Sequence, residues 1–467
     1  MTHWNSRIKI CLVDETRARA GKSRGAVVRL FLTLLAFVAM TLAFSQSLLT
    51  SSNLRLTVAD TPFAAFQDGN AAWQRLKLGL NTVLVLDARA RFAVVWVCQE
   101  NSKIDSRRTT RVRMLKLTVP EAAKLELRCP KPASVTLSGK LEQVNSTCVN
   151  LHLAGRRSQW CNYDSPDKTS GRFAIAANLG KFDVFAAPIE PTDGAPMLER
   201  LLIARDVKIV DSQQQNLNLA NAIKLVPKTL SVTAPSAVKL AQVTADYWSN
   251  DGSLIGLGGS VSSSPDENIP QNVAFGSLPA NQQLASEHYL FRATAPVNFK
   301  EQDGIAGINA SVNHSPAAKT TLFLAATIPA PKILSLGKAS NTSELALEIT
   351  WDAIDNASAY SWRLNNHDLD WLVYITSAYL GNARTPKDSL PELLKTPGWN
   401  RKGDWAFYGI RGSQPIPLEF HAVLERKGFS FTAASALLSQ NDSDLSLEKA
   451  VNGSSLIAAG ALMEVNP

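Results

Sequence analysis

The feature that most constrains this chain is the spacing of its apolar runs. Beyond the N-terminal region they are strand-length, recur every ten or so residues, and are cut by Gly, Pro, Asn and Ser. Thr82–Asp87 (TVLVLD) and Phe92–Cys98 (FAVVWVC) are short and rich in β-branched and aromatic residues, with the turn Ala88–Arg91 between them. Arg111–Thr118 interleaves Val112, Met114, Leu115 and Leu117 with Arg111, Arg113 and Lys116, as a half-exposed strand does. Helical periodicity is scarce, and its candidates are short: Glu121–Leu125, Met197–Ile203 and Ser389–Lys395. The pattern predicts a mostly β protein of tandem antiparallel β-sandwich domains. At 467 residues the chain is too long for one core. The expected units are 68–130, 132–225, 227–328 and 331–431, parted at joints such as Cys129-Pro130-Lys131-Pro132 and Pro329-Ala330-Pro331. A tail rich in Ser, Ala and Asn follows over 432–467.

Ahead of these units the pattern changes. Leu30–Phe44 (LFLTLLAFVAMTLAF) carries no charge and no polar face, and it follows a basic flank over 1–29. That flank holds seven Lys or Arg and two acids, so it supplies most of the formal net charge of +8. The basic balance is therefore a topology signal rather than a polyanion-binding surface, and no nucleic-acid partner is expected. A run of this length suits the core of a signal peptide, with cleavage after Ala43-Phe44-Ser45 and before Gln46. If Leu48 and Leu49 are counted in, the same segment reads as a signal-anchor helix that stays in the membrane. In both cases the basic flank stays in the cytoplasm and the bulk is exported, to be periplasmic or at the cell surface, secreted or anchored.

Cysteine usage points the same way. Cys11 lies in the flank, whereas Cys98, Cys129, Cys148 and Cys161 all lie beyond the apolar run. Four cysteines in an oxidising compartment read as two disulfides with three possible pairings. The favoured pairing is Cys98–Cys129 and Cys148–Cys161, which joins neighbours within units. A four-cysteine zinc site would want C-x₂-C spacing, and no pair has it.

Two units resemble known families. The second reads Val135-Thr136-Leu137-Ser138-Gly139-Lys140-Leu141, then Cys148–Leu153 (CVNLHL), Thr169-Ser170-Gly171-Arg172-Phe173-Ala174-Ile175 and Lys181-Phe182-Asp183-Val184-Phe185-Ala186-Ala187. This resembles the carboxypeptidase regulatory-like domain. The resemblance implies a sandwich in which Gly171 permits a tight turn, Phe173 plugs the core, and Phe182 and Val184 share a face. Ser170 stands where the family more often has Asp. The fourth unit reads Leu345-Ala346-Leu347-Glu348-Ile349-Thr350-Trp351, a loop over Asp352–Ala359, then Tyr360-Ser361-Trp362-Arg363-Leu364. It is similar to a fibronectin type III repeat, which implies that Trp351 sits at the centre of a sandwich. Neither family implies catalysis.

No chemistry-bearing motif survives inspection. Gly21-Lys22-Ser23 ends like a P-loop, but Thr16 stands where the motif requires Gly. Gly252–Gly259 (GSLIGLGG) reads as a hairpin turn, because its spacing is not that of a dinucleotide fingerprint. His3, His152, His288, His314, His367 and His421 are dispersed, with no H-E-x-x-H and no i, i+4 pair. No G-x-S-x-G surrounds a serine. Asp352, Asp355, Asp368 and Asp370 cluster without forming a calcium loop and read as a polar loop. The expectation is thus no enzyme, and no catalytic, cofactor-binding or metal-binding residue.

Two stretches read as possible surfaces. Lys103, Arg107, Arg108, Arg111, Arg113, Lys116, Lys124, Arg128 and Lys131 outnumber Asp105, Glu121 and Glu126. They form either a solvated strand face or one that meets anionic lipid or wall polymers. Trp399 and Trp405 flank the polar loop Asn400-Arg401-Lys402-Gly403-Asp404, which fits a sugar ring or a core cap. The expected function is a non-catalytic extracytoplasmic binding or structural protein of the cell envelope. Carbohydrate or cell-wall binding through Trp399 and Trp405 is the alternative, and an accessory part of an envelope hydrolase the third. Expected partners are the membrane, through an uncleaved N-terminal helix, and an envelope protein or polysaccharide.

Overall fold

The chain divides into two compact units, Met1–Ser51 and Ser52–Pro467. The computed structural model describes residues 52–467, apart from 102–107, 132, 145, 162–169, 190–196, 211–213, 235–239, 262–268, 296–305, 325–330, 339–346, 366–368, 382, 390–415, 440–444, 446 and 466–467. The basic flank, the apolar run with its cleavage site, Gly21-Lys22-Ser23, and the Trp399–Trp405 loop all lie outside the described residues.

The described chain is mostly β. Its first seven strands are β1 (Ser52–Ala59), β2 (Phe63–Asp68), β3 (Gln74–Arg75), β4 (Gly79–Val85), β5 (Arg91–Asn101), β6 (Arg108–Thr118) and β7 (Lys124–Arg128). They form one sheet of order β4-β1-β7 and a run β3-β2-β5-β6 within a second sheet. The two meet through alternate side chains: Leu54, Leu56 and Val58 of β1 share a core with Phe66, Phe92 and Val94. Cys98 in β5 is bonded to Cys129, just past β7, so this disulfide ties the two layers together.

The next strands repeat that plan. They are β8 (Val135–Glu142), β9 (Cys148–Leu153), β10 (Arg156–Cys161), β11 (Ser170–Ala177), β12 (Gly180–Ile189), β13 (Arg200–Ile209), β14 (Gln214–Asn218) and the short β15 (Ile223–Lys224). Their sheets run β11-β8-β14 and β10-β9-β12-β13-β15. Cys148 and Cys161 face each other across the β9–β10 hairpin and are disulfide-bonded. The third set is β16 (Val226–Thr233), β17 (Gln242–Trp248), β18 (Leu254–Val261), β19 (Asn272–Ser277), β20 (His288–Ala295), β21 (Ala306–Asn313) and β22 (Lys319–Phe323). It runs β19-β16-β22 and β18-β17-β20-β21. In all three sets the fourth, first and seventh strands make one layer, and the third, second, fifth and sixth the other. In each, the first strand pairs parallel with the seventh.

The fourth set differs. It comprises β23 (Ile333–Lys338), β24 (Leu347–Trp351), β25 (Ala359–Asn365), β26 (Leu369–Thr376), α1 (Ser377–Leu380), β27 (Lys387–Ser389), β28 (Ile416–Lys427), α2 (Phe431–Leu438) and β29 (Ser455–Val465). One layer is β23-β24-β27 and the other is β29-β28-β25-β26. Trp351, Trp362 and Trp371 are fully buried in its core, with Tyr360 and Phe420 packed on Trp351. Burying side chains of this size contributes roughly 2–3 kcal/mol apiece, which makes the aromatics the main packing term here.

The outer layers of the first, third and fourth sets are not separate sheets. They join edge to edge as one 12-stranded sheet of order β18-β17-β20-β21-β29-β28-β25-β26-β6-β5-β2-β3. The β21–β29 join is antiparallel and the β26–β6 join is parallel. An open edge strand is a liability that must be covered or paired. Here the fourth set resolves both of its edges against its neighbours.

Several expectations change in this light. The first unit opens before residue 68, since β1 supplies its central strand and β2 ends there. The polar-looking tail over 432–467 contains α2, whose residues from Ala433 to Leu438 are all buried, and β29, which lies inside the large sheet. Small side chains account for both: they let α2 be covered on every side and let β29 fit between two neighbours. Two expected helices are strand or turn. Met197–Ile203 runs into β13, and Glu121–Leu125 turns into β7. Cross-strand pairing overrides a few residues of helical pattern. Of Ser389–Lys395, Ser389 closes β27 and the rest lies outside the described residues. Gly171 makes no turn. It sits inside β11, where a Cβ would lie 2.1 Å from Trp160, so its role is close approach.

Candidate functional surface

Charged side chains inside this fold are mostly turned on one another. Arg113 of β6 donates to Asp370 of β26 at 2.7 Å, and Arg363 of β25 donates to the other oxygen at 2.7 Å. Burial pushes the Asp370 carboxyl up, but Arg113 and Arg363 outweigh it and hold the pKa below the usual value. On the opposite face of β6, Lys116 pairs with Asp388 of β27, which also accepts from Trp362 Nε1 at 2.9 Å. The parallel join thus carries a buried ion pair on each face. This corrects the reading of the basic run as a single face. Lys124, Arg128 and Lys131 are exposed, whereas Arg113 and Lys116 are buried, and Lys103 and Arg107 lie outside the described residues. Asp370 likewise belongs to this join rather than to a polar loop, and Asp368 lies outside the described residues.

A second buried group links the second and third sandwiches. Arg205 of β13 pairs with Asp183 and with Glu287, and Tyr247 of β17 donates to the same Glu287. Glu287 is fully buried, and its neighbours Leu284 N–H and Arg205 complete its hydrogen bonds. Burial and the adjacent carboxylate push the Tyr247 hydroxyl up. Such a closed network fixes an interface and leaves no group poised for chemistry.

The histidines follow the same logic. His152 is pushed down to about 4 by burial, and His421 likewise by burial and the charge of Arg363, so both are neutral near pH 7. The rings of His288 and His314 pack edge to face at 5.5 Å. His367 lies outside the described residues. Among the described residues no three His, Cys, Asp or Glu side chains converge in a way that could hold a metal.

A cleft of about 340 Å³ lies between β7 and α2, lined by Trp96, Arg113, Glu121, Arg426 and Glu448 among others. Glu121, Glu448 and Arg426 already have partners. Glu121 accepts from Thr118 N–H, Thr118 Oγ1 and Thr376 Oγ1, and Glu448 accepts from Ser430 and Thr432. Arg426 stacks on Phe431 and donates to the Phe429 carbonyl. What remains is packing between a sandwich and a helix.

The surface that is not satisfied internally is on β4. Among the described residues this strand pairs only with β1, which leaves its other side as a free edge. Val83 and Val85 point into the core, and by the strand period of two the even positions point out. Those positions are Leu78, Leu80, Thr82, Leu84 and Leu86. The leucines are 72%, 68%, 49% and 64% exposed, an apolar row on an otherwise polar face. The sequence hid this row because Val83-Leu84-Val85-Leu86 is apolar at every position, a pattern normally read as covered on both faces.

No family model and no curated protein matches the chain. Among solved structures it is similar to a Streptococcal ancillary pilin, at 10% identity over 58% of this chain and 98% of the pilin chain. The TM-score of that match is 0.13, a likeness too slight to bear on fold or role.

Proposed function

We propose that this chain is a non-catalytic structural or binding protein of the extracytoplasmic cell envelope, exported by its apolar N-terminal run. The observation that carries the reading is the disposition of its polar groups. Buried charges where the first and fourth sandwiches meet, and where the second and third meet, are paired with one another, and the outer layers of three sandwiches are fused into one sheet. Such construction favours a rigid scaffold that presents surfaces over one that performs chemistry. Two disulfides support the location, because they persist in oxidising compartments. We further assign the second sandwich to the carboxypeptidase regulatory-like group and the fourth to the fibronectin type III group. In support, the motif segments coincide with β8, β9, β11 and β12, and Trp351 is fully buried.

Thiol trapping in native cells tests the location. Cells are acid-quenched, denatured and treated with a maleimide of known mass. Cys98, Cys129, Cys148 and Cys161 should take up none without reductant and all four with it. Labelling of these cysteines in unreduced samples would place the protein in a reducing compartment and end the proposal.

A further inference from the structure

We propose that the leucine row of β4 rests on an anionic lipid bilayer, so that the first sandwich lies against the membrane surface. The inference rests on the envelope reading above, and two observations carry it. The first is the apolar row itself, four leucines on one side of a free-edged strand.

The second is the charge beside it. The same outward face continues onto β1 and β7. Arg55 stands opposite Thr82 on one side and Lys124 on the other, and both cations are exposed. Two positions further along β7 are Glu126 and then Arg128, which pair with each other at the surface. The face therefore has three cations to one carboxylate, with Lys77 exposed just ahead of the row. An apolar stripe with a basic margin is the pattern of an element lying in the membrane interface, where cations meet anionic headgroups. A protein partner with an apolar groove would require no such margin.

Lipid photolabelling of the full chain tests this. The protein is reconstituted in phosphatidylcholine–phosphatidylglycerol vesicles that contain a trace of diazirine-bearing phosphatidylglycerol, irradiated, and its adducts mapped by peptide mass spectrometry. The expected result is at least ten-fold more adduct on 78–86 than on the edge strand β18. The double variant L80E/L84E should lose that excess ten-fold while keeping adducts on 30–44. Both leucines face solvent, so the variant folds, and unchanged proteolytic resistance verifies it. Adduct on 78–86 no higher than on β18, or unchanged in the variant, overturns the proposal, as does absence of adduct anywhere. Protein–protein crosslinks joining 78–86 of two chains overturn it in favour of a second copy. Oxidised cysteines with no adduct on 78–86 would leave the envelope reading standing and remove this one.

Discussion

The fourth sandwich is held to its neighbours by two joins of opposite kind. At β26–β6 the strands run parallel, and each face carries a buried ion pair, Arg113–Asp370 on one side and Lys116–Asp388 on the other. At β21–β29 the strands run antiparallel, and among the described residues no ion pair crosses the join. The β29 positions there are small or aliphatic: Ser455, Leu456, Ile457, Ala458, Ala459 and Gly460. Parallel pairing is slightly less stable per residue. Neither join is a hairpin that would set its own register, and at the parallel one charged partners fixed on both faces of β6 specify it. The antiparallel join relies on close contact instead. One interface is specified by charge and the other by size, and the two should fail under different insults.

The largest effect is expected at the parallel join. Asp370→Ala leaves Arg113 and Arg363 buried without their carboxylate and should cost about 3–5 kcal/mol in urea unfolding. A loss under about 1 kcal/mol would mean that the pair is decoration, and the contrast between the joins would collapse. Next is the antiparallel join. Gly460 lies beside His421, with room for a Cβ only at 2.6 Å from its ring, so Gly460→Val should cost about 1–3 kcal/mol through overpacking. That loss should be insensitive to salt, and a salt-dependent one would contradict the size argument.

The smallest effect, and the sharpest discriminator, is pH. His421 beside the antiparallel join has its pKa held at about 4, below that of the unfolded chain near 6.5. The unfolded state therefore binds its proton first, so stability falls as pH drops from about 6.5 towards 4. Asp370 is a carboxyl with a lowered pKa, so its contribution is present above about 3.9 and is lost only as pH falls further, through the folded value. His421→Phe should reduce the slope in the upper window, to which the buried His152 also contributes, and leave the lower one. Unfolding midpoints taken across pH 3 to 7 would show this, and an unchanged upper slope would remove His421 as its source.

Much of the local structure was legible in the sequence. Cys148–Leu153 is a strand with those bounds, the two disulfides pair as neighbours, and Trp351 and Trp362 are buried. Each of these depends on residues close in sequence or on hydrophobicity alone. The joins depend on neither. The partners of Arg113 and Lys116 lie far down the chain in another sandwich, and without them both residues read as the polar side of a half-exposed strand. The threefold recurrence of one strand order was hidden for a related reason: it is carried by which strands pair, while the residues that fill the positions differ. At the candidate surface, the β-branched run Thr82–Asp87 pointed to a strand, which the structure places at Gly79–Val85, but only the fold shows which side of it is left uncovered.

Inserting β29 between β21 and β28 has a consequence for biosynthesis. During synthesis, β21 emerges long before the strand that covers it, and β6 waits still longer relative to β26. Throughout that interval the nascent chain displays two unpaired strands able to template wrong partners. Local hairpins can form as they emerge, but the large sheet closes only after distant segments arrive, which makes this a slow-closing, high-contact-order architecture. Demand for holding chaperones should therefore peak late in synthesis rather than at its start.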